Sequence, residues 1–361
     1  MRHAIAPRHR RAQRGFTLVE LMVSAVIGLF IVAAVGGIYI SSKRTFWSTN
    51  AIASMDDTAR AVFDLMGTSI RQADFTGCQR LGGTINGDTR AIAGTQWWND
   101  LATPVRAYVA PDPALSFTAP APTPVAGTQV LTLIGADPAR EASVVADDPA
   151  TGVITTGVHG FSNGQTLLAT SCMLNSFFIM TGGAGGNTIA HALPGNCDIA
   201  LDFTCGSGAA PNSQKLTLGA SILPVVATAW YVAPSGNVAG KGRSLWQAST
   251  NSPAQPASAE LVNGVENLAF DLGVDTAGNG SVNRWLPPGS VTDWSQVLAV
   301  RVHLLLSTLP DSATSAVGAN TSITFPANST TVLTASTTPA IDPRRVYREY
   351  SAVFAIRNRM N

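Results

Sequence analysis

A handful of short stretches hold residue types that could do chemistry. "GFSNG" at 160–164 has the G-x-S-x-G spacing of a nucleophile elbow, with Ser162 as the nucleophile. That elbow works only where a strand turns sharply into a helix. Here the pentapeptide runs into "QTLLATSC", which reads as a strand, and Asn163–Gly164 is a hairpin-type pair, so a turn is expected. "TGGAGGNT" at 181–188 is rich in glycine but lacks the lysine of a phosphate loop, and it too reads as a turn. "DTAGNGSVN" at 275–283 begins like a calcium loop through Asp275, Asn279 and Gly280. Ala277 stands where an oxygen ligand is needed and Leu286 where a bidentate glutamate belongs. A plain turn is expected, with a weak calcium site on Asp275 and Asn279 as the alternative. Past residue 15 the histidines are His159, His191 and His303, and no H-E-x-x-H occurs. The chain therefore reads as a non-enzyme without a cofactor.

The clearest chemical demand comes from Glu20. It stands in "RGFTLVEL" (14–21), at the head of an apolar run that continues "MVSAVIGLFIVAAVGGIYI" (22–40). A carboxylate inside a membrane helix costs ~2.5–3.5 kcal/mol on insertion scales. Three readings of the segment compete: a secretory signal cut after the run near Val32 and Ala34, an uncleaved anchor, and a leader cut before the run, between Gly15 and Phe16. Only the third gives the acid a partner. Cleavage there leaves a positive amine on Phe16, four residues before Glu20 and on the same helical face. The first helical turns also favour negative charge. In an assembly the amine could belong to a neighbouring subunit. At ~4 Å and an effective dielectric near 20 that attraction is about 4 kcal/mol, comparable with the insertion cost.

"RGFTLVE" resembles the type IV prepilin signature, with Gly15 at the cleavage site, Phe16 as the new N-terminal residue and Glu20 as the assembly glutamate. The resemblance implies cutting by a prepilin peptidase and N-methylation of Phe16. The segments are then a leader at 1–15, a transmembrane and assembly half-helix at 16–40, an amphipathic half-helix at 41–75 and a β-rich head at 76–361. Arg2, Arg8, Arg10, Arg11 and Arg14 all precede Phe16, and no acid does. Basic residues stay cytoplasmic, so a single-pass inner-membrane topology with a periplasmic head is expected. Without those five arginines the chain has 18 basic and 22 acidic residues. A mildly acidic body argues against direct nucleic-acid binding.

The elements that would position these residues follow from periodicity. Ile52, Met55, Ala59, Val62, Phe63, Met66 and Ile70 recur at spacings of three and four, with Asp56, Asp57, Arg60, Asp64 and Arg71 between them. That pattern is an amphipathic stripe and extends the helix to about Ala73. Gly36–Gly37 is its weak point. Beyond it lie short apolar runs read as strands at 128–135, 165–172, 176–182, 215–219, 224–233, 243–249, 268–274, 295–308 and 350–358. "SAELVNGVENL" reads as the start of a short helical turn. Residues 103–125, rich in proline, and 309–343, rich in Ser, Thr and Ala, read as long loops. The fold class is α+β: one long helix whose stripe is buried by a mainly antiparallel sheet. The tryptophans read as core packing, with Trp97–Trp98 the pair expected to touch a partner.

Four cysteines, Cys78, Cys172, Cys197 and Cys205, with no C-x-x-C pair, suggest two disulfides in an exported domain, and free buried thiols are the alternative. Cys197 and Cys205 enclose a short loop, so the preferred pairing is Cys197–Cys205 with Cys78–Cys172.

Further stretches narrow the resemblance. They are "SIRQADFTGC" (69–78), "LLATSC" (167–172), "AWYVAPSG" (229–236), "LVNGVENLAFDLGVD" (261–275), "VTDWSQVLAVRVHLLLST" (291–308) and "VFAIRNRMN" (353–361). In this order they resemble the PilW-type minor pilins of type IV pilus systems, although Asp74 stands where a glycine is expected after "RQA". The resemblance implies a type IV pilin-like fold and a subunit at the pilus tip on the cell surface. There it would prime assembly with other minor pilins and the major pilin, present a PilY-type adhesin, and support adhesion and twitching motility. The competing readings are a J-type pseudopilin of type II secretion and a membrane-tethered adhesin or binding module.

Overall fold

The computed structural model describes residues 17–77, 87–91, 96–117, 121–171, 173–207, 215–236, 242–250, 256–308, 321–343 and 345–360. Gly15, Phe16, Cys78 and Cys172 lie outside these residues. The chain divides into two units at residues 51 and 52, and one helix, α1 (Leu18–Gln72), runs through both.

The first unit is helical from Leu18 onward. Thr17 caps it: the Glu20 N–H donates to Thr17 Oγ1 at 3.2 Å. A threonine three residues before a glutamate is the spacing that satisfies the unpaired amides of a first turn. Ser24 donates its hydroxyl to the Leu21 carbonyl at 2.9 Å, and Thr45 to Ser41 at 3.1 Å. These bonds let a hydroxyl sit in an apolar surrounding without losing its partner. The helix is unbroken through Gly36–Gly37.

In the second unit the strands are β1 (Gly87–Asp88), β2 (Val105–Val109), β3 (Gln129–Ala136), β4 (Ala142–Asp148), β5 (Val153–Thr156), β6 (Thr166–Thr170), β7 (Asn175–Ile179), β8 (Thr188–Ala190) and β9 (Ser221–Pro234). Then follow β10 (Arg243–Ser249), β11 (Ala257–Asn263), β12 (Val265–Val274), β13 (Arg284–Leu286), β14 (Val297–Ser307), β15 (Ser322–Thr324), β16 (Val332–Thr334) and β17 (Tyr347–Ala355). Among the described residues they form a branched 11-stranded sheet, a four-stranded sheet β13-β12-β14-β17 and the hairpin β15–β16. The pairings are antiparallel, apart from β1 on β7. The long β9 joins the two parts of the large sheet. Its first residues pair with β4 and β6, and its later ones with β3 and β10.

Four sequence expectations are corrected. Residues 103–125 hold a strand, because Pro104 and Pro111 flank β2 rather than interrupt it. The Ser/Thr-rich 309–343 holds the hairpin β15–β16. "SAELVNGVENL" is not helical. It spans parts of β11 and β12, which meet at Gly264 with φ +82°. "KLTLG" (215–219) is not a strand. Leu216 is buried, but its N–H donates to the Asp147 carboxylate at 2.8 Å instead of a ladder, and Gly219 turns the chain at φ +84°. Burial pushes the Asp147 carboxyl above its ordinary range, with the Leu216 amide acting against it.

The core beneath the helix combines its buried stripe with the facing side of both sheets. Met55, Ala59, Val62, Met66 and Ile70 pack with Leu268, Phe270, Val300, Val302 and Leu304 of the four-stranded sheet and with Leu131, Trp230 and Leu245 of the large one. The expected stripe is the buried stripe, residue for residue, with Ile52 and Phe63 at its half-buried edge.

Candidate assembly site

Glu20 lies in the first turn of a segment that is apolar on all sides. The helix contains an 18-residue window of mean hydropathy 2.6, none of it buried. Leu18, Leu29 and Phe30 are among its exposed side chains. No described residue pairs with the Glu20 carboxylate. A carboxylate in the first turn, beside capped amides, is placed where the helix end is positive.

The other half of α1 is seated in the head at three places along its length. Near the start, Asp56 accepts a hydrogen bond from the Tyr350 hydroxyl of β17. Burial and the Asp56 carboxylate push that phenol up to about 12, so it stays a donor at any ordinary pH. In the middle, Phe63 meets Phe354 with ring centroids 6.2 Å apart. Gly67 makes room for the same ring, since a Cβ there would lie 2.5 Å from Phe354 Cε1.

The third place is the C-terminal end of the helix, and here sequence reading missed the key pair. Asp74 takes φ +61°, the left-handed conformation that usually calls for glycine after a helix. Its carboxylate accepts from Arg359 Nε at 2.6 Å, and both residues are 1% exposed. Arg359 Nη1 also donates to the carbonyls of Trp294 (2.6 Å) and Val297 (3.0 Å). Next to it, Asn358 Nδ2 donates to the last carbonyls of the helix turn, Ala73 at 2.9 Å and Gln72 at 3.3 Å. The departure at Asp74 is therefore compensated: a non-glycine residue pays its strain in return for a buried partner. The available signal was the acid directly after the stripe together with the two arginines of "RNRMN".

The remaining candidates fall elsewhere. Ser162 lies in a turn: the Gln165 N–H donates to its carbonyl at 3.1 Å, Gly164 has φ +82°, and a strand follows. His159 beside it donates from Nε2 to the Thr188 carbonyl, 3.1 Å away, when its Nδ1 accepts from the Phe161 N–H at 3.2 Å, so it is a structural histidine. In 275–283, the Asp275 carboxylate is occupied by the loop's own amides, Gly280 at 2.6 Å and Ala277 at 3.1 Å, while Asn279 accepts from Ser281. These atoms are arranged as a turn and not as converging ligands. Trp97 is buried and donates Nε1–H to Ser116, and Trp98 is half-buried edge-on against it, so the pair belongs to the core with Phe117 and Tyr231. Cys197 and Cys205 are joined by a disulfide, while the pairing of Cys78 with Cys172 falls outside the described residues. The amides of Cys197 and Cys205 donate to Thr89 and Asp88, so the loop they close clasps β1.

One long N-terminal helix, exposed and apolar in its first part and seated on antiparallel strands in its second, is a type IV pilin-like α+β fold. Two family models match the chain: the prokaryotic N-terminal methylation motif over residues 10–36, and PilW, the type IV pilus-assembly protein W, over residues 229–358. The second begins within β9, ends just past β17 and takes in the four-stranded sheet that seats α1. No curated protein and no solved structure matches the chain. The two matches support a PilW-type, prepilin-like pilin, a minor pilin related to the type IV pilus. The apolar helix and the motif together fit an inner-membrane anchor with a pilus association.

Proposed function

We propose that this chain is a structural, non-enzymatic subunit inserted in the inner membrane with its head in the periplasm. A prepilin peptidase cuts it between Gly15 and Phe16, and Phe16 is N-methylated. It then enters a tip complex with other minor pilins and the major pilin, primes the filament, presents a PilY-type adhesin and so supports adhesion and twitching motility. The observation that carries this reading is Glu20, a carboxylate without a described partner in the first turn of an all-apolar helix. The amine of Phe16, its own or a neighbour's, supplies the missing charge after cleavage. On assembly the helix melts locally at Gly36–Gly37; a filament map with residues 34–40 continuously helical contradicts that part.

Glu20→Ala is expected to remain processed and membrane-bound while surface piliation collapses, measured by shearing and immunoblotting. Normal piliation in that variant sinks the assembly role. Gly15→Ala should accumulate full-length precursor, and efficient processing would count against the leader.

A further inference from the structure

Three strands bring residues far apart in sequence together on the face of the four-stranded sheet opposite α1. His303 of β14 is 4% exposed. Its Nδ1 lies 2.8 Å from Glu349 Oε1 on β17, and its Nε2 lies 3.1 Å from Asp271 Oδ2 on β12. A carboxylate is an acceptor, and a neutral imidazole donates from one nitrogen only. With both acids ionised, only the imidazolium satisfies both contacts at once.

The same two carboxylates hold the turn of the hairpin β15–β16. Asn328 Nδ2 donates to Asp271 Oδ2 at 2.8 Å, and the Ala327 N–H donates to Glu349 Oε2 at 2.8 Å. The hairpin lays Phe325 and Leu333 over Ala269, Leu305 and Tyr347 of the sheet. Residues 321–341 contain no charged side chain, so the hairpin brings no charge of its own to the cluster. Among the described residues the further charge at the cluster is Arg301, whose Nη1 lies 3.4 Å from Asp271 Oδ2 while its guanidinium stacks on Trp285. At the far end of the same segment, Arg345 pairs with buried Glu266 at 2.8 Å and with Ser307, a tie without a histidine.

We propose that His303 is a proton-operated latch. As imidazolium it bridges Asp271 and Glu349 and keeps both aimed at the hairpin turn. When the proton leaves, one ring nitrogen presents a lone pair to a carboxylate and the two acids lose their bridging cation. Arg301 reaches Asp271 and not Glu349, so the grip of Glu349 on Ala327 is lost first. The hairpin then opens about the Arg345–Glu266 tie and uncovers Ala269, Leu305 and Tyr347. The grip holds where the ring is charged and the acids are ionised, weakens as pH rises, and is also lost in strong acid when the acids are protonated. This inference does not depend on the assembly role.

The test is hydrogen exchange by mass spectrometry on the full chain in detergent micelles, between about pH 5 and pH 9, the range that spans imidazole titration. After correction for the chemical exchange rate, opening of residues 325–333 should rise at least about tenfold toward the alkaline end, the scale of losing a charge-assisted hydrogen bond. Strand β14 should not follow. His303→Gln keeps a donor and an acceptor but cannot titrate, so its hairpin opening should be flat with pH. The same pH dependence in that variant, or a flat response in the natural chain, overturns the latch. If the variant does not fold, ring nitrogen shifts of His303 in the natural chain decide. A ring that is neutral where the hairpin is protected also overturns it.

Discussion

Leu18, Leu29 and Phe30 in the first part of α1 are more than two-thirds exposed, whereas Val62, Met66 and Ile70 in its second part are wholly buried. The backbone is one helix in both places. What differs is the source of stability. The second part is amphipathic and draws on packing, as most protein helices do. The first is apolar on every side, and such a helix is stable only in lipid or among other chains. Substitutions in the seated part should therefore act on stability, and those in the exposed part on assembly.

The largest effect should come from breaking the buried pair at the helix end. Arg359→Ala removes the buried cation paired with the Asp74 carboxylate and should destabilise the head by about 3–5 kcal/mol in denaturant melts. A loss below about 1 kcal/mol, the scale of a surface pair, would mean that the seat does not depend on this clasp. A second test lies in the head away from the seat. His191 is 1% exposed, and neither ring nitrogen has a hydrogen-bond partner among the described residues. Burial lowers its pKa from 6.5 to about 4. Between those values the unfolded chain holds a proton that the folded one refuses. Stability is thus whole above the upper value, falls as the pH drops toward the lower one, and levels off below it. The total loss should be about 3 kcal/mol, and His191→Leu should remove this part of the acid sensitivity.

Gly67→Val comes next. It forces Phe354 out of place and should cost about 1–3 kcal/mol by overpacking, read as a lower melting temperature. The smallest effect sharpens the contrast from the other side. Glu20→Ala should leave head stability within about 0.5 kcal/mol, as a surface change does, even though piliation fails. A large melting shift in that variant would erase the distinction between the two parts.

Much of this organisation was legible in the sequence. The stripe from Ile52 to Ile70 was readable because one face of a helix repeats at a local spacing. The glutamate was readable because its place in an apolar run is costly. The clasp was not, because Asp74 and Arg359 are 285 positions apart and each looks ordinary alone. The same holds for His303, whose partners come from β12 and β17. Strand β2 was hidden by prolines that flank it, and "KLTLG" misled because its alternation is anchored by an aspartate side chain instead of a neighbouring strand.

The clasp also sets an order of events. Synthesis delivers α1 early and residues 358 and 359 almost 300 residues later, so the end of the helix stays uncapped while the sheet strands are being made. A subunit whose tail has not arrived holds its stem without the buried ion pair and the Asn358 cap. Closing the Arg359–Asp74 pair then works as a completion mark: a truncated copy lacks the last hold on its stem.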